Sequence, residues 1–388
     1  MAEIFADSKA KIITYYLPQF HTIPENDMFH GKGFTEWTNT KKATPLFEGH
    51  YQPKTPYNEN YYCLLNPEVM REQATLAKKY GVYGFCYYHY WFKDGKKLLE
   101  KPVENMLADK EVGIPFCLSW ANENWCKRWD GGNQEVIVEQ DYGGPTDWKK
   151  HIDYLIPFFM DPRYITVHGK PLFVIYRPEL MPNLTEMMRF WQNEVKKVGL
   201  EGICFAIQFP DWYFMTAYNA DCFDYQIKFE PFFSHNYMVK DIVTMKRKQK
   251  LYTVMRKIGL GNVVEKLISK KKATKSASST KPQLTIKDYD ETWNEILTTP
   301  IDEKTIEGAF VDWDNTARKK NGIVYKNGSP EKFGQYLEKL IMRVHNEASN
   351  PMIFINAWNE WAEGAYLEPD MKYGYTYLEA LKKALIKE

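Results

Sequence analysis

Two carboxylates stand three residues apart in the segment INAWNEWAEG, which spans residues 355–364. Glu360 and Glu363 follow a short apolar run at 351–357, and such runs are typical of buried parallel strands. A carboxyl pair in two different environments can perform general acid/base chemistry, because burial raises one pKa while neighbours hold the other down. Two glutamates at this spacing are more often a solvated helix face. Their position at a strand end, among tryptophan and asparagine, favours catalysis instead.

Similar residues follow four other predicted strands. Aromatic side chains offer flat apolar faces to sugar rings, and amides and carboxylates offer paired hydrogen-bonding atoms to hydroxyls. Each lone tryptophan or histidine is more often structural, but the mixture recurs at five strand ends in all. The resulting candidates for substrate binding are Tyr16, His21, Trp37, His89, Trp91, Trp120, Asn122, Glu123, Trp129, Trp313, Asp314, Asn356, Trp358 and Asn359.

Eight short apolar or aromatic runs supply the elements that must position these residues. They lie at 11–17, 82–88, 114–120, 171–176, 202–208, 224–229, 308–312 and 351–357. Helical patterns separate many of them, so the order predicts an α/β fold of the (β/α)₈ TIM-barrel type, whose active sites lie at the carboxyl ends of the strands. A doubly wound sheet is the alternative, but no GxGxxG sequence follows any run.

Three helices have clear boundary signals. Asn66 and Pro67 begin a helix that runs over 68–80 and ends before Gly81. Ser329 begins another that extends to about His345. A third is expected over 184–198, with a glycine after it. We expect the whole chain, 1–388, to form one catalytic domain.

Composition limits the classes of partner. The chain has 51 Lys and Arg residues against 50 Asp and Glu residues, a balance that predicts no nucleic-acid partner. Nothing in the sequence implies a metal or another cofactor. The first residues lack an apolar leader and no apolar run is long enough to cross a bilayer, so we expect a cytoplasmic protein, which could be peripheral to the membrane.

A basic insertion separates the sixth and seventh predicted strands, over residues 231–307. Within it, residues 240–275 contain twelve basic and two acidic residues, a net charge of +10. Apolar residues at 251, 254, 255 and 258 predict an amphipathic helix, and the serine- and lysine-rich part that follows predicts a flexible linker. The segment could dock on an anionic membrane surface. Alternatively, its apolar stripe packs on the barrel and its lysines face water.

Longer motifs resemble a known family. GFTEWTN (33–39), SWANENW (119–125), RWDG (128–131), WDNTAR (313–318) and NAWNEWAEGAYLEPD (356–370) look like the WbsX family, which is associated with bacterial surface polysaccharide and O-antigen synthesis. Its domain is similar to the endo-α-mannosidases of glycoside hydrolase family 99, which are (β/α)₈ barrels. The resemblance covers residues 11 to about 377, with the basic insertion interrupting it.

This resemblance implies roles for the carboxylates. In the endo-mannosidases both carboxylates of the motif NEWHEG are catalytic, and they correspond to Glu360 and Glu363. Glu360 would be the base that removes the 2-hydroxyl proton of the sugar, so that O2 attacks C1. Glu363 would protonate the leaving oxygen. This chain has Ala362 where that motif has histidine.

Three functions remain open at this point. The first is a glycosidase or transglycosidase that acts on an α-mannoside-like bond of an oligosaccharide or lipid-linked glycan. The second is a nucleotide-sugar-dependent glycosyltransferase of polysaccharide synthesis, for which residues 312–314 form a DxD pattern. The third is a glycan-binding protein without turnover, which would not need both Glu360 and Glu363.

Overall fold

The computed structural model describes residues 9–127, 135–209, 220–238, 284–319 and 321–386. Eight parallel strands form a closed barrel in this part of the chain. The strands are β1 (Lys11–Tyr16), β2 (Gly84–Trp91), β3 (Phe116–Trp120), β4 (Lys170–Ile175), β5 (Cys204–Phe209), β6 (Tyr225–Lys228), β7 (Thr305–Phe310) and β8 (Met352–Asn356).

Parallel pairing between the first and last strands closes the barrel. Lys11 of β1 is in register with Met352 of β8, and Ile13 is in register with Gly84 of β2. Each of the eight predicted runs overlaps one strand, and the remaining strands pair in chain order. The predicted (β/α)₈ barrel is therefore confirmed, and the open doubly wound sheet is wrong.

Helices cover the outside of the strands. They are α1 (Pro24–His30), α2 (Glu36–Lys42), α3 (Pro67–Lys79), α4 (Lys101–Ala108), α5 (Pro145–Phe159), α6 (Leu184–Lys197), α7 (Phe232–Met238), α8 (Tyr289–Thr298), α9 (Pro330–Glu347) and α10 (Thr376–Ile386). The predicted caps are confirmed, since the Asn66 side chain accepts from the Glu68 N–H and Ser329 accepts from the Lys332 N–H.

Successive residues of each strand point to opposite sides of the barrel wall. On β1, Tyr15 points into the barrel and stacks on Tyr88 of β2, with ring centroids 5.7 Å apart. Tyr16 points outward and donates to Gln73 of α3. Nearly all strand residues are buried, whether they point into the barrel or toward the helices. The strands are therefore apolar throughout and show no alternation of apolar and polar residues in sequence.

The connection between β6 and β7 contains part of the barrel itself. Trp293 of α8 stacks on Phe310 of β7 and on Tyr336 of α9, so α8 belongs to the outer helical layer. The strongly basic segment 240–275 lies outside the described residues. Within the described ranges, no helix has the length and apolarity needed to cross a membrane.

Gly308 should be essential for the contact between β6 and β7. A Cβ atom at this position would lie 1.8 Å from the Lys228 carbonyl oxygen, which belongs to the backbone of the neighbouring strand. We expect Gly308→Ala to lower the free energy of unfolding by about 1–3 kcal/mol, because the strands must separate locally. Urea unfolding followed by circular dichroism measures the loss.

Gly113→Ala is the matched control for this substitution. A Cβ atom at Gly113 would make only ordinary contacts, the nearest at 3.5 Å from the Lys78 Nζ atom. Equal stability losses in the two variants would contradict the steric argument.

Candidate active site

A tight hairpin after β8 presents the two glutamates. Asn359 and Glu360 pair antiparallel with Tyr366 and Ala365, and a 3-10 turn over Trp361–Glu363 joins them. Gly364 ends the turn at φ 65°, in the left-handed region that favours glycine. A Cβ atom there would also lie 3.0 Å from the Asp314 backbone nitrogen. The glycine thus allows the hairpin to approach the end of β7.

Arg318 bridges the two glutamates. Its Nη1 atom donates to Glu363 Oε1, and its Nη2 atom lies 3.2 Å from Glu360 Oε2. Both carboxyl groups therefore share one guanidinium, at the carboxyl end of the barrel strands where catalytic sites of this fold lie. The arginine follows β7, directly after the 3-10 turn Asn315–Ala317, so adjacent strand ends supply the cation and its partners.

A third carboxylate completes this cluster. Glu36, the first residue of α2, accepts from Arg318 Nη2 at 2.6 Å and from the Ala362 backbone N–H at 3.1 Å. Trp37 packs against Trp361 with ring centroids 5.4 Å apart, which fixes α2 beneath the hairpin. We call Glu36, Arg318, Glu360 and Glu363 the carboxylate cluster.

Burial controls the electrostatics of the carboxylate cluster. The Glu36 side chain is fully buried and that of Glu360 is 8% exposed, whereas Arg318 and Glu363 are 14% and 22% exposed. Burial, and then the neighbouring Glu363, raise the pKa of Glu360 well above its ordinary value although Arg318 opposes the shift. Burial likewise raises the pKa of Glu36. The geometry therefore favours a neutral carboxyl beside an ionised one, as general acid/base chemistry requires.

A further buried carboxyl, that of Glu368, supports the hairpin from behind. Glu368 accepts from the Trp361 Nε1 atom at 2.7 Å, from the Tyr62 hydroxyl at 2.8 Å and from Gln73 Nε2 at 2.6 Å. Burial raises the pKa of Glu368 to about 7 even though these three donors oppose the shift. The network holds Trp361, which lies between the two catalytic candidates in sequence, against Tyr366.

Asp314 supports the site through its backbone and is itself fully engaged. Its N–H donates to the Glu363 carbonyl at 2.7 Å. Its carboxylate accepts from His50 Nε2 at 2.8 Å and from Gln52 Nε2 at 2.7 Å. His50 Nδ1 accepts from the Leu46 N–H, so its proton lies on Nε2. Burial opposes ionisation of Asp314, but the hydrogen bond from His50, the Lys54 ammonium and the Thr316 hydroxyl lower its pKa. We therefore assign Asp314 a structural contact with the loop after β1.

Four other predicted residues near the ends of β7 and β8 have structural contacts: two asparagines bond backbone atoms, and two tryptophans are buried. Asn359 accepts from the Leu17 N–H and donates to its carbonyl, which ties the hairpin to β1. Asn356 donates to the Glu230 carbonyl at the end of β6. Trp358 is fully buried and packs on Phe85, and Trp313 is 3% exposed. Their rings offer little surface to a sugar.

Tyr16, His89, Trp91 and Trp120 are not brought to the carboxylate cluster. They sit at outward-facing strand positions, so they pack against the helical layer. Tyr16 bonds α3, as described above. His89 Nε2 lies 2.8 Å from His151 Nε2 of α5, and the Trp91 and Trp120 rings contact the same histidine.

A cavity that is partly open to solvent lies beside this outer group. Its lining includes Trp91, Phe92, Trp120, Tyr142, Trp148 and His151. Glu360, Glu363 and Arg318 do not line it. The cavity is therefore separate from the chemistry that the carboxylates can perform.

Three of the remaining predicted residues, Asn122, Glu123 and His21, lie on loops. Asn122 exchanges two hydrogen bonds with the Arg177 backbone, and Glu123 pairs with the Arg177 guanidinium at 3.2 Å. His21 is buried and its Nδ1 atom is 3.1 Å from the Pro18 carbonyl. Trp37 is the packing residue described above. Trp129 lies outside the described residues.

Sequence reasoning did not select Glu36, Arg318, Tyr88 or Glu368 as site residues. Tyr88 is partly exposed, points into the barrel and is close enough to Glu360 for that carboxylate to raise its pKa, after burial. A usable signal existed for three of them, since Glu36, Arg318 and Glu368 all lie inside the long motifs.

Removing the shared cation should destabilise the folded protein. We expect Arg318→Met to lower the free energy of unfolding by about 3–5 kcal/mol at pH 8, because it leaves buried carboxylates without a counterion. Without Arg318 the carboxyls bind protons more tightly in the folded than in the unfolded state, so the loss should be smaller at pH 5. Denaturant unfolding at both pH values measures it.

Arg71→Met is the matched control. Arg71 also pairs with three carboxylates, Glu68, Asp109 and Glu111, but at the surface. Its loss should change stability far less, because water screens exposed ion pairs. A pH-independent loss for Arg318→Met would contradict the proposed charge balance.

Comparison with known proteins agrees with this architecture. The model of the family described as "Glycosyltransferase WbsX" matches residues 12–381. Two curated relatives, both described as "Uncharacterized protein WxcX" from strains of Xanthomonas campestris pv. campestris, are 35% identical over 384 residues. These alignments cover 97% of this chain and 50% of each relative, so the chain spans about half their length.

Solved structures show the same fold at low sequence identity. The GH99 endo-alpha-mannosidase from Bacteroides thetaiotaomicron superposes with a TM-score of 0.52 at 14% identity, over 96% of this chain and 95% of that one. A glycoside hydrolase-like protein gives a TM-score of 0.55 at 9% identity, over 98% and 95% of the two chains. With its family match across almost the whole chain and its closed barrel, this chain belongs to the WbsX glycosyltransferase family and has a glycoside hydrolase-like TIM-barrel fold.

Proposed function

We propose that this chain is a carbohydrate-active enzyme that cleaves or transfers at an α-mannoside-like glycosidic bond. The observation that carries the proposal is the carboxylate cluster, in which Glu360 and Glu363 share Arg318 at the end of β8. A protein that only binds glycans has no need for a buried carboxyl pair with one strongly raised pKa. The non-catalytic alternative therefore has the least support.

The proposed reaction proceeds in two steps at the anomeric carbon. Glu360 removes the proton from the 2-hydroxyl, O2 forms a bond to C1, and the bond from C1 to the leaving oxygen breaks. Glu363 protonates that oxygen. Water or an acceptor hydroxyl then opens the 1,2-anhydro sugar, with the two proton transfers reversed. In an α-mannoside, axial O2 is anti to the axial leaving group, so this intramolecular attack is well oriented.

The exposure of Glu363 fits its role as the acid, whereas the burial of Glu360 opposes its role as the base. Glu363 has the more exposed side chain, 22% against 8% for Glu360, so it can reach a leaving oxygen near solvent. Glu360 acts as a base only when ionised. Since burial raises its pKa, the proposal implies a rate that increases with pH through that pKa.

A nucleotide-sugar-dependent glycosyltransferase is the second candidate, favoured by the description of the matched family. Its DxD pattern would consist of Asp312 and Asp314. However, Asp314 is occupied by His50 and Gln52, and Asp312 lies 4.0 Å from the Lys54 ammonium. In the described part of the chain, no three His, Cys, Asp or Glu side chains are grouped as metal ligands. These contacts favour the first candidate.

Product analysis after incubation distinguishes the two candidate functions. The protein is mixed with defined α-mannosides and, separately, with nucleotide sugars and acceptors, and the products are followed by mass spectrometry. Cleavage or transfer without a nucleotide supports the mannosidase-like reaction. Transfer that requires a nucleotide donor would instead support the glycosyltransferase.

Glutamine substitutions test the roles of the two glutamates. Glu360→Gln and Glu363→Gln should each lower kcat by about 10²–10⁴-fold, because an amide keeps the volume but cannot transfer the proton. Glycan binding, measured by calorimetry, should remain close to that of the unmodified protein.

Glu123→Gln is the control for these variants. It also removes one carboxylate from a predicted site residue, but that carboxylate pairs with Arg177 outside the carboxylate cluster. It should retain most of the activity. Near-normal kcat in either cluster variant, on a confirmed substrate, would show that the corresponding role is wrong.

We further propose that the enzyme works on surface polysaccharide intermediates, such as lipid-linked glycans, at the cytoplasmic side of a membrane. Residues 240–275, with a net charge of +10, would bring it to the anionic surface. Basic residues near such a surface contribute roughly 1 kcal/mol each before screening, so several together suffice for peripheral binding.

Vesicle co-sedimentation tests the membrane contact. The protein should bind anionic vesicles and not neutral ones, and added salt should release it as the Debye length falls below about 10 Å. Deletion of residues 240–275 should abolish binding. If neither type of vesicle binds the full chain at low salt, the basic segment serves no docking role.

A further inference from the structure

Glu36 lies beside the proposed catalytic pair but too deep to touch a sugar. Its side chain is fully buried under the hairpin that carries Glu360 and Glu363. We propose that Glu36 is a positioning residue that acts through Arg318: it draws the guanidinium away from Glu360 and thereby keeps a proton on Glu360 in the ligand-free enzyme. The inference rests on the proposed function of Glu360 as the base.

The distances around Arg318 support this unequal sharing. Its Nη2 atom lies 2.6 Å from Glu36 Oε1 but 3.2 Å from Glu360 Oε2. Its Nη1 atom is taken by Glu363. Glu360 therefore has the longest of the three contacts with the only guanidinium in the carboxylate cluster.

The charge balance of the carboxylate cluster requires a bound proton. Three ionised glutamates with one arginine would leave two excess negative charges in a mostly buried place, and burial strongly disfavours such uncompensated charge. Among the described residues, the titratable and charged groups that face Glu360 are Glu363, Arg318, Glu36 and the hydroxyls of Tyr88 and Tyr90. Only Arg318 among these is a cation.

Hydrogen bonds indicate which carboxyl holds the proton. Burial raises the pKa of Glu36, but its Oε1 atom accepts from both Arg318 and the Ala362 N–H, and these two donors favour the ionised form. Glu363 is the most exposed of the three and pairs closely with Nη1. Glu360 has one longer contact and is nearly buried, so it is the group that remains neutral.

Removing the charge of Glu36 should therefore change Glu360. In Glu36→Gln, the amide oxygen can still accept from Ala362 and the volume is kept. Glu360 loses a negative neighbour, and Arg318 becomes free to approach it. Both changes favour ionisation of Glu360, so the base becomes active at lower pH.

Side-chain carboxyl titration by NMR, with ¹³C-labelled glutamate, measures this without any substrate. The Glu360 signal is assigned by its absence in Glu360→Gln. Its midpoint should lie above the ordinary glutamate value of about 4.3 in the unmodified protein and fall by at least about one pH unit, tenfold in proton affinity, in Glu36→Gln. Glu36→Asp, which keeps the charge, should restore most of the original midpoint.

Glu48→Gln is the matched control, because Glu48 is an exposed carboxylate on the same loop between β1 and α3. It should leave the midpoint unchanged. An equal midpoint in Glu36→Gln and the unmodified protein would overturn the inference. If Glu36→Gln does not fold, an ordinary Glu360 midpoint in the unmodified protein would overturn it, whereas a raised midpoint supports it.

Activity then separates this inference from the proposed function. On a confirmed substrate, the acid limb of kcat/KM in Glu36→Gln should move to lower pH by the same amount as the NMR midpoint. A structural role alone would lower kcat without moving that limb. If no glycan is turned over at all, the proposed function fails while the NMR result still decides the role of Glu36.

Discussion

A single guanidinium shared by three carboxylates, two of them buried, is the constraint on which the site depends. Arg318, which follows β7, contacts Glu36 from the loop after β1 and both Glu360 and Glu363 from the hairpin after β8. Because uncompensated buried charge is costly, the loops after β1, β7 and β8 cannot separate without exposing or unpairing a carboxylate. The ion pairs of the carboxylate cluster therefore hold the loops at this end of the barrel together.

The barrel explains why these distant segments can meet. Its strands are parallel, so the loops that follow β7, β8 and β1 lie side by side at one end. Pairing of β1 with β8 brings the first and last of them into contact. Asn359 and Trp37 then lock the hairpin after β8 to elements near the start of the chain. Closure of the sheet is thus a condition for assembling the carboxylate cluster.

The order of elements could be predicted from sequence, but the direction of individual side chains could not. All eight strands were recognisable as apolar runs. Those runs are buried on both faces, so their sequence does not distinguish the inward-pointing Tyr15 from the outward-pointing Tyr16. A shift of one residue reverses which side chains are assigned to the inside of the barrel. His89, Trp91 and Trp120 were assigned to the site for that reason. Arg318 and Glu36 are 282 residues apart, and no local pattern reveals their pairing.

Position 362 shows how this chain differs from the endo-mannosidase motif that it resembles. Ala362 is fully buried, and its N–H donates to the Glu36 carboxylate. Its small side chain therefore allows the turn to pack closely against Glu36. A histidine titrates near neutral pH, whereas an arginine keeps its charge throughout. With Arg318 as the cation, every protonation change in the carboxylate cluster must fall on a carboxyl group. The acid/base behaviour of the site is then decided by how three glutamates divide one positive charge.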